Sequence, residues 1–267
     1  MRKLSISRAW DEARAVLASD GKLIGTVALA LFVLPGLLLN LVMPQARSSA
    51  DVPQPGIWIV IGIVAVLISL VGQLSVIRLA MGPHVSVGEA ITHGARRLLP
   101  YLGSVLLWMV PFMLVGVVLI AVIQKDPEHP SGAAAIGLLA LTVIGIFLAV
   151  RFILTSAVAS AEQAGPITIL RRSWELTRGN WWRLFGFLVI FAVGAIALIA
   201  AVASVSGLLA KMLFGDVSPL SLGGLLVSIV GQLVSGSISV ILFVMLARIY
   251  AQAALPQADV GVPSSGI

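Results

Sequence analysis

Six apolar runs, near 22–43, 56–81, 101–123, 133–160, 184–213 and 220–250, divide most of the chain between them. Each is long enough to cross a hydrocarbon core of about 30 Å as a helix, which takes about 20 residues. Only 10% of the 267 residues are charged, against about a quarter in soluble domains. With a mean hydropathy of +1.09, the chain has too few polar groups to cover a globule in water, so its solvent is lipid. The expectation is an all-α polytopic membrane protein with six transmembrane helices. The last three runs are long enough to tilt or to pass the headgroups. Pro35 and Pro111 fall inside spans one and three and predict kinks there.

Basic residues are distributed unevenly between the connections. Fourteen of the seventeen lie in the N-terminal segment, the second and fourth connections and the end of the sixth span; Arg47, Lys125 and Lys211 lie on the other side. Lysine and arginine collect on the cytoplasmic side, so both termini are expected to be cytoplasmic. This distribution accounts for the net charge of +6, and no nucleic-acid partner is expected. The opening MRKLSISRAWDEARAVLASDGK is too long and too mixed in charge for the start of a signal peptide, and Asp11, Glu12 and Asp20 argue against a transit peptide. Without cysteine there are no disulfides, thiolate metal sites, cysteine nucleophiles or palmitoylation.

A repeat runs through the basic connections. Gly82-Pro83 opens the second and Gly165-Pro166 the fourth, and each proline is followed 20 residues later by a glycine, Gly103 or Gly186. Under a shift of 83, Val87, Ile91, Gly94 and Leu98 fall on Leu170, Trp174, Thr177 and Trp181. That spacing draws one stripe along a helix, and proline suits a helix's first turn. Ile6, Trp10, Ala13 and Leu17 repeat the stripe, with three extra residues before Gly25. The chain therefore predicts a threefold internal repeat of a cytoplasmic amphipathic helix and two spans. The units cover about 1–81, 82–164 and 165–251 of one six-span domain over 1–251, with 252–267 a flexible cytoplasmic tail.

The third copy concentrates charge and indole in RRSWELTRGNWWR. Trp174, Trp181 and Trp182 suit the membrane interface, the ring apolar and the N–H wet. Arg171, Arg172, Arg178 and Arg183, with Arg96 and Arg97 of the second copy, can lay their stems on apolar surface and present their heads to lipid phosphates. Each such charge near an anionic leaflet is worth about 1 kcal/mol. The segment is a membrane anchor on this reading; a specific binding site is the alternative.

The run SWELTRGNWWRLFG resembles the membrane domain of glycerophosphoryl diester phosphodiesterases, and with it a group of small six-span bacterial membrane proteins of unknown function. Ser173, Leu176, Thr177, Gly179, Asn180, Trp182, Arg183 and Gly186 carry the likeness, preceded by Gly165-Pro166. The resemblance implies that diesterase chemistry, where present, belongs to a separate soluble domain. Only QAALPQADVGVPSSGI follows the sixth span here, so no phosphodiesterase activity is expected.

The residues themselves point to no catalytic centre and no cofactor. His84, His93 and His129 are spread over two faces, Asp126 and Glu128 suit a solvated outer turn, and no paired acids lie within a span. A metal site and a catalytic motif are therefore not expected. At membrane depth the notable polar residues are Gln73, Gln232, Arg78, Arg151 and Arg248. The two amides either join helices or line a polar cavity. The three arginines, near the cytoplasmic ends of the returning spans, either converge on an anionic headgroup or extend separately to the interface. The resulting expectation is a non-enzymatic, multi-pass protein of the bacterial cytoplasmic membrane, both termini inside, gripping anionic lipid and scaffolding a partner protein. The alternative is a small transporter or lipid-handling protein using the polar intramembrane residues.

Overall fold

A computed structural model describes residues 4–43, 56–82, 85–125, 131–218 and 220–254. The expectations for Pro83, His84, Asp126, Glu128, His129 and the tail beyond residue 254 lie outside the described residues. Among those described there is helix and no strand, and six helical stretches are long and apolar enough to cross a membrane. The expected spans are therefore present, with ends displaced by a few residues or, at the starts of the first and third, extended well beyond the apolar run.

The first crossing comprises α1 (Ile6–Ala28), a π-helical turn at Leu29–Val33 and α2 (Leu34–Val42). Ser5 caps α1 by accepting the Arg8 N–H. The π turn lies just before Pro35, which has no N–H to donate to the preceding turn. The widened ladder is the local answer to the disturbance expected at that proline. Helix α3 (Ile57–Met81) returns without interruption. Helix α4 (Val87–Gln124) opens on a capping box between Ser86 and Glu89 and continues through Pro100 and Pro111.

The expected fourth span is divided. Helix α5 (Gly132–Arg151) stops, Phe152–Leu154 form a turn, and α6 (Thr155–Ala161) resumes. The break frees the Arg151 carbonyl, which accepts from Ser173 Oγ at 2.9 Å and Thr177 Oγ1 at 3.3 Å. Both hydroxyls belong to α7 (Pro166–Thr177). A broken helix at this depth requires such substitute donors. Gly179, at φ 83°, then separates α7 from α8 (Trp181–Phe214). The hairpin closes with α9 (Leu222–Ala254).

Helix α4 lies along α3, α1 along α9, and α7 against the α5–α6 pair; α3 touches both α9 and α6. Buried residues collect where Leu4 and the end of α9 meet, in Leu74–Ala80, Leu154–Ser160 and Val244–Tyr250. Toward the opposite end the helices expose their apolar sides. The most apolar stretches of α4 and α8 contain no fully buried residue.

Candidate functional site

Three pairs of small residues, four apart, hold the helix packing beneath the basic rim. Ala9 and Ala13 on α1, Ala90 and Gly94 on α4, and Ser173 and Thr177 on α7 are all buried. Small side chains let backbones approach closely. Gly94 is an example: an added Cβ would lie 2.6 Å from Ser75 Oγ and 2.7 Å from the Val71 carbonyl of α3. The stripe drawn from apolar spacing is only partly the contact. Gly94 and Thr177 belong to both, but Trp10 and Trp174 are 44% and 37% exposed, so the large residues flank the seam.

Arg78 and Arg96 come together. They face a cleft of about 580 Å³ between the end of α3 and the start of α4, shared with Glu89, Thr92 and His93. The Glu89 carboxylate is engaged by Ser86, whose N–H and hydroxyl each lie 3.0 Å from Oε2. His93 Nε2 lies 2.8 Å from the Ser160 carbonyl. Neither guanidinium forms an ion pair or hydrogen bond with the described residues. The Ser86 hydrogen bonds and the Arg78 charge hold Glu89 below its ordinary range, as an anion, so the cleft carries two positive heads and one negative, a net positive charge suited to a phosphate or another compact anion.

The remaining basic residues go elsewhere. Arg97 donates from Nε to the Ala159 carbonyl at 2.9 Å, a structural tie between α4 and α6. Arg171 pairs with Glu175 at 3.2 Å. Arg172 lies 3.2 Å from Glu162 and 3.6 Å from Glu175. The Glu162 hydrogen bond raises the Arg172 guanidinium above its ordinary range, aided by the nearby charges, against a smaller opposing effect of burial. Arg178 is exposed at the end of α7. Arg183 reaches back with Nη1 to the Leu4 carbonyl at 2.9 Å.

The tryptophans form an aromatic band rather than separate anchors. Trp181 stacks on Phe185 with ring centroids 4.9 Å apart, and on Phe147 at 5.8 Å. Trp182, 77% exposed, stands edge-on to Trp181. Trp174 meets Phe147 and Phe152, each at 5.9 Å. Arg151 enters this band: its guanidinium carbon lies 4.8 Å from the Trp174 ring centre and 5.2 Å from that of Phe147. Its buried Nε and Nη1 have no hydrogen-bond partner among the described residues, so the rings are its counter-surface. Arg248 lies on α9 with a buried Nε that has no described hydrogen-bond partner either.

Gln73 and Gln232 meet different neighbours. Gln73 Oε1 accepts the Tyr101 hydroxyl of α4 at 3.3 Å. Gln232 packs on α2, where an added Cβ at Gly36 would lie 2.5 Å from its Oε1. Gln73 is eight residues before the end of α3 and Gln232 twenty-two before the end of α9. At about 1.5 Å per residue they sit at very different depths.

Sequence reasoning missed Glu162. Its Oε1 accepts the Tyr250 hydroxyl at 2.8 Å and faces Arg172 at 3.2 Å, joining the end of α6 to α7 and α9. Glu162 and Arg172 lie ten residues apart across the α6–α7 junction and Tyr250 far along the chain, and no spacing marks the three. Among the described residues no three histidine or acidic side chains group as metal ligands. Across residues 4–253 the chain matches the model of a family described as a domain of unknown function, DUF7847. No curated protein and no solved structure matches it.

Proposed function

The chain belongs to the DUF7847 family, and from that premise we propose a non-catalytic, multi-pass protein of the bacterial cytoplasmic membrane that holds anionic phospholipid headgroups at its inner rim. The observation that carries the reading is the cleft of Arg78 and Arg96, two guanidiniums that share a single carboxylate, Glu89, and so leave one positive charge in excess. They lie at the end of the bundle where most of the basic residues collect. Bilayer anions at that height supply the missing charge.

A threefold plan, with the three rim helices as its collar, places the cleft in a wider frame. Each unit's leading helix lies on the returning helix of another: α4 on α3, α7 on α5 and α6, α1 on α9. Under the shift of 83, buried Ala90, Gly94, Tyr101 and Ser104 correspond to buried Ser173, Thr177, Leu184 and Phe187. These correspondences favour repeated units related by an axis along the membrane normal. The motif around Thr177–Arg183 supports distant kinship with the phosphodiesterase membrane domains, without their chemistry. A scaffolded partner protein belongs to the same proposal.

The experiment is lipid retention by the full chain purified from vesicles that mix anionic phosphatidylglycerol with zwitterionic phosphatidylethanolamine. The wild type is expected to enrich the anionic lipid. At about 1 kcal/mol per charge, the double change Arg78→Gln and Arg96→Gln should lower that enrichment about thirtyfold. Unchanged enrichment in the double variant would overturn the proposal.

A further inference from the structure

We propose that the flank between α1, α8 and α9 is a groove for one phosphoglyceride of the cytoplasmic leaflet, with an acyl chain along α8 and the phosphate at Arg183. The groove has a volume of about 470 Å³. Phe187, Phe191 and Gly194 of α8, Ile241 and Met245 of α9 and Trp10 of α1 line it. It reaches along α8 from Phe187 to Leu198, about 16 Å at 1.5 Å per residue. That length matches one leaflet's share, about 15 Å, of the hydrocarbon core. An occupant between apolar walls on the side of a membrane bundle must itself be apolar.

The inference rests on the orientation and threefold correspondence proposed above, because the corresponding interval elsewhere in the molecule is filled. The shift of 83 sets Phe191, Gly194 and Ala195 against Trp108, Pro111 and Phe112. Between α4, α5 and α7, Trp108 packs on Phe152 at 5.7 Å, and Phe152 on Trp174 at 5.9 Å. Phe112 Cζ comes within 2.7 Å of where a Cβ on Gly145 would stand. At Gly194 an added Cβ meets nothing within 4 Å. The protein plugs one interval with its own rings and leaves the other to an apolar molecule from the bilayer.

Charge at the mouth selects the kind of molecule. Arg183 lies one helical turn before Phe187, and its bond to the Leu4 carbonyl holds it at the rim. It has no carboxylate partner among the described residues. One of its five N–H donors is used, leaving the others for phosphate oxygens. Ser7 adds a hydroxyl at the same end. An apolar channel ending at a guanidinium fits an acyl chain ending in a phosphodiester.

The test uses the full chain in vesicles that contain a phosphoglyceride with a diazirine on one acyl chain, with adducts mapped after illumination. Adducts at Phe191, Gly194 and Ala195 should exceed those at their counterparts Trp108, Pro111 and Phe112. Ala195→Phe, which introduces the ring found at position 112, should reduce them about fivefold by filling the groove. Gly194→Leu should do the same, so the test stands if either variant folds. Arg183→Gln should lower lipid retention about fivefold, one interfacial charge. Equal labelling of Phe191, Gly194 and Ala195 and of Trp108, Pro111 and Phe112, or full labelling in both filled variants, overturns the groove. Arg78→Gln and Arg96→Gln should leave the α8 adducts intact. Loss of anionic selectivity with normal adducts in that variant supports both sites as separate, and loss of the adducts with it overturns their separation.

Discussion

Gly94 shows how little room separates these helices at the rim. A Cβ there would meet the Val71 carbonyl at 2.7 Å, and backbone cannot swing aside as a flexible side chain can. Gly94→Val should therefore destabilise the bundle by about 1–3 kcal/mol. Gly88, six residues earlier on the same helix, has nothing within 4 Å, so Gly88→Ala should stay within about 0.5 kcal/mol. Thermal midpoints of the two purified variants in one detergent provide the check; equal midpoints would remove the close approach as a source of stability. The sequence made Gly94 and Thr177 legible as seam positions but placed Trp10 and Trp174 beside them. Apolar spacing marks a helix face, and in a bilayer that face can meet lipid as readily as protein. At the paired seam positions size separates the two cases: Ala9, Ala13, Ala90, Gly94, Ser173 and Thr177 are buried, and the indoles of Trp10 and Trp174 stay partly exposed beside them. Arg78 and Arg96 were each singled out from sequence, but their meeting depends on α4 lying along α3. Glu162 with Tyr250 and Arg172 was invisible because only tertiary packing brings Tyr250 of α9 to the α6–α7 junction.

Among the elements, the three rim helices enter their spans in two ways. Helices α1 and α4 run from rim to span without a break at that junction, whereas α7 ends and α8 starts afresh after Gly179 at φ 83°. A left-handed residue turns the chain there and positions Asn180, whose Oδ1 accepts the Leu4 N–H at 3.2 Å. Gly179→Ala should cost about 1–2 kcal/mol through the strain of a Cβ at positive φ. Gly186, inside α8 with nothing within 4 Å, should accept alanine without cost. Urea midpoints in mixed micelles distinguish the two, and equal tolerance would show that the turn stores no strain. The division of the fourth span was not legible, because its stability depends on Ser173 and Thr177 accommodating the Arg151 carbonyl from another element. Span lengths were legible, because hydrocarbon thickness imposes them directly.

At the scale of the whole molecule, burial and charge gather at one end. The buried core lies where both described ends of the chain meet, and α4 and α8 expose their most apolar stretches. Water would not tolerate such a surface, whereas lipid tails cover it without penalty. The basic excess at the same end follows from the cost of carrying guanidinium through hydrocarbon, which fixes orientation while the chain inserts. Under the threefold plan proposed above, one orientation must serve all three units. Since the chain has no cysteine, single cysteines can report it without background. Arg96→Cys and Thr168→Cys, on α4 and α7, should both be shielded from a membrane-impermeant maleimide in intact cells, while Ala133→Cys, at the start of α5, should react. Opening the cells should make the first two reactive, which separates burial from sidedness. If positions 96 and 168 react from opposite sides, the second and third units cannot share a direction. Parallel repetition and the common rim would then both be lost, and the cleft and groove would face different leaflets.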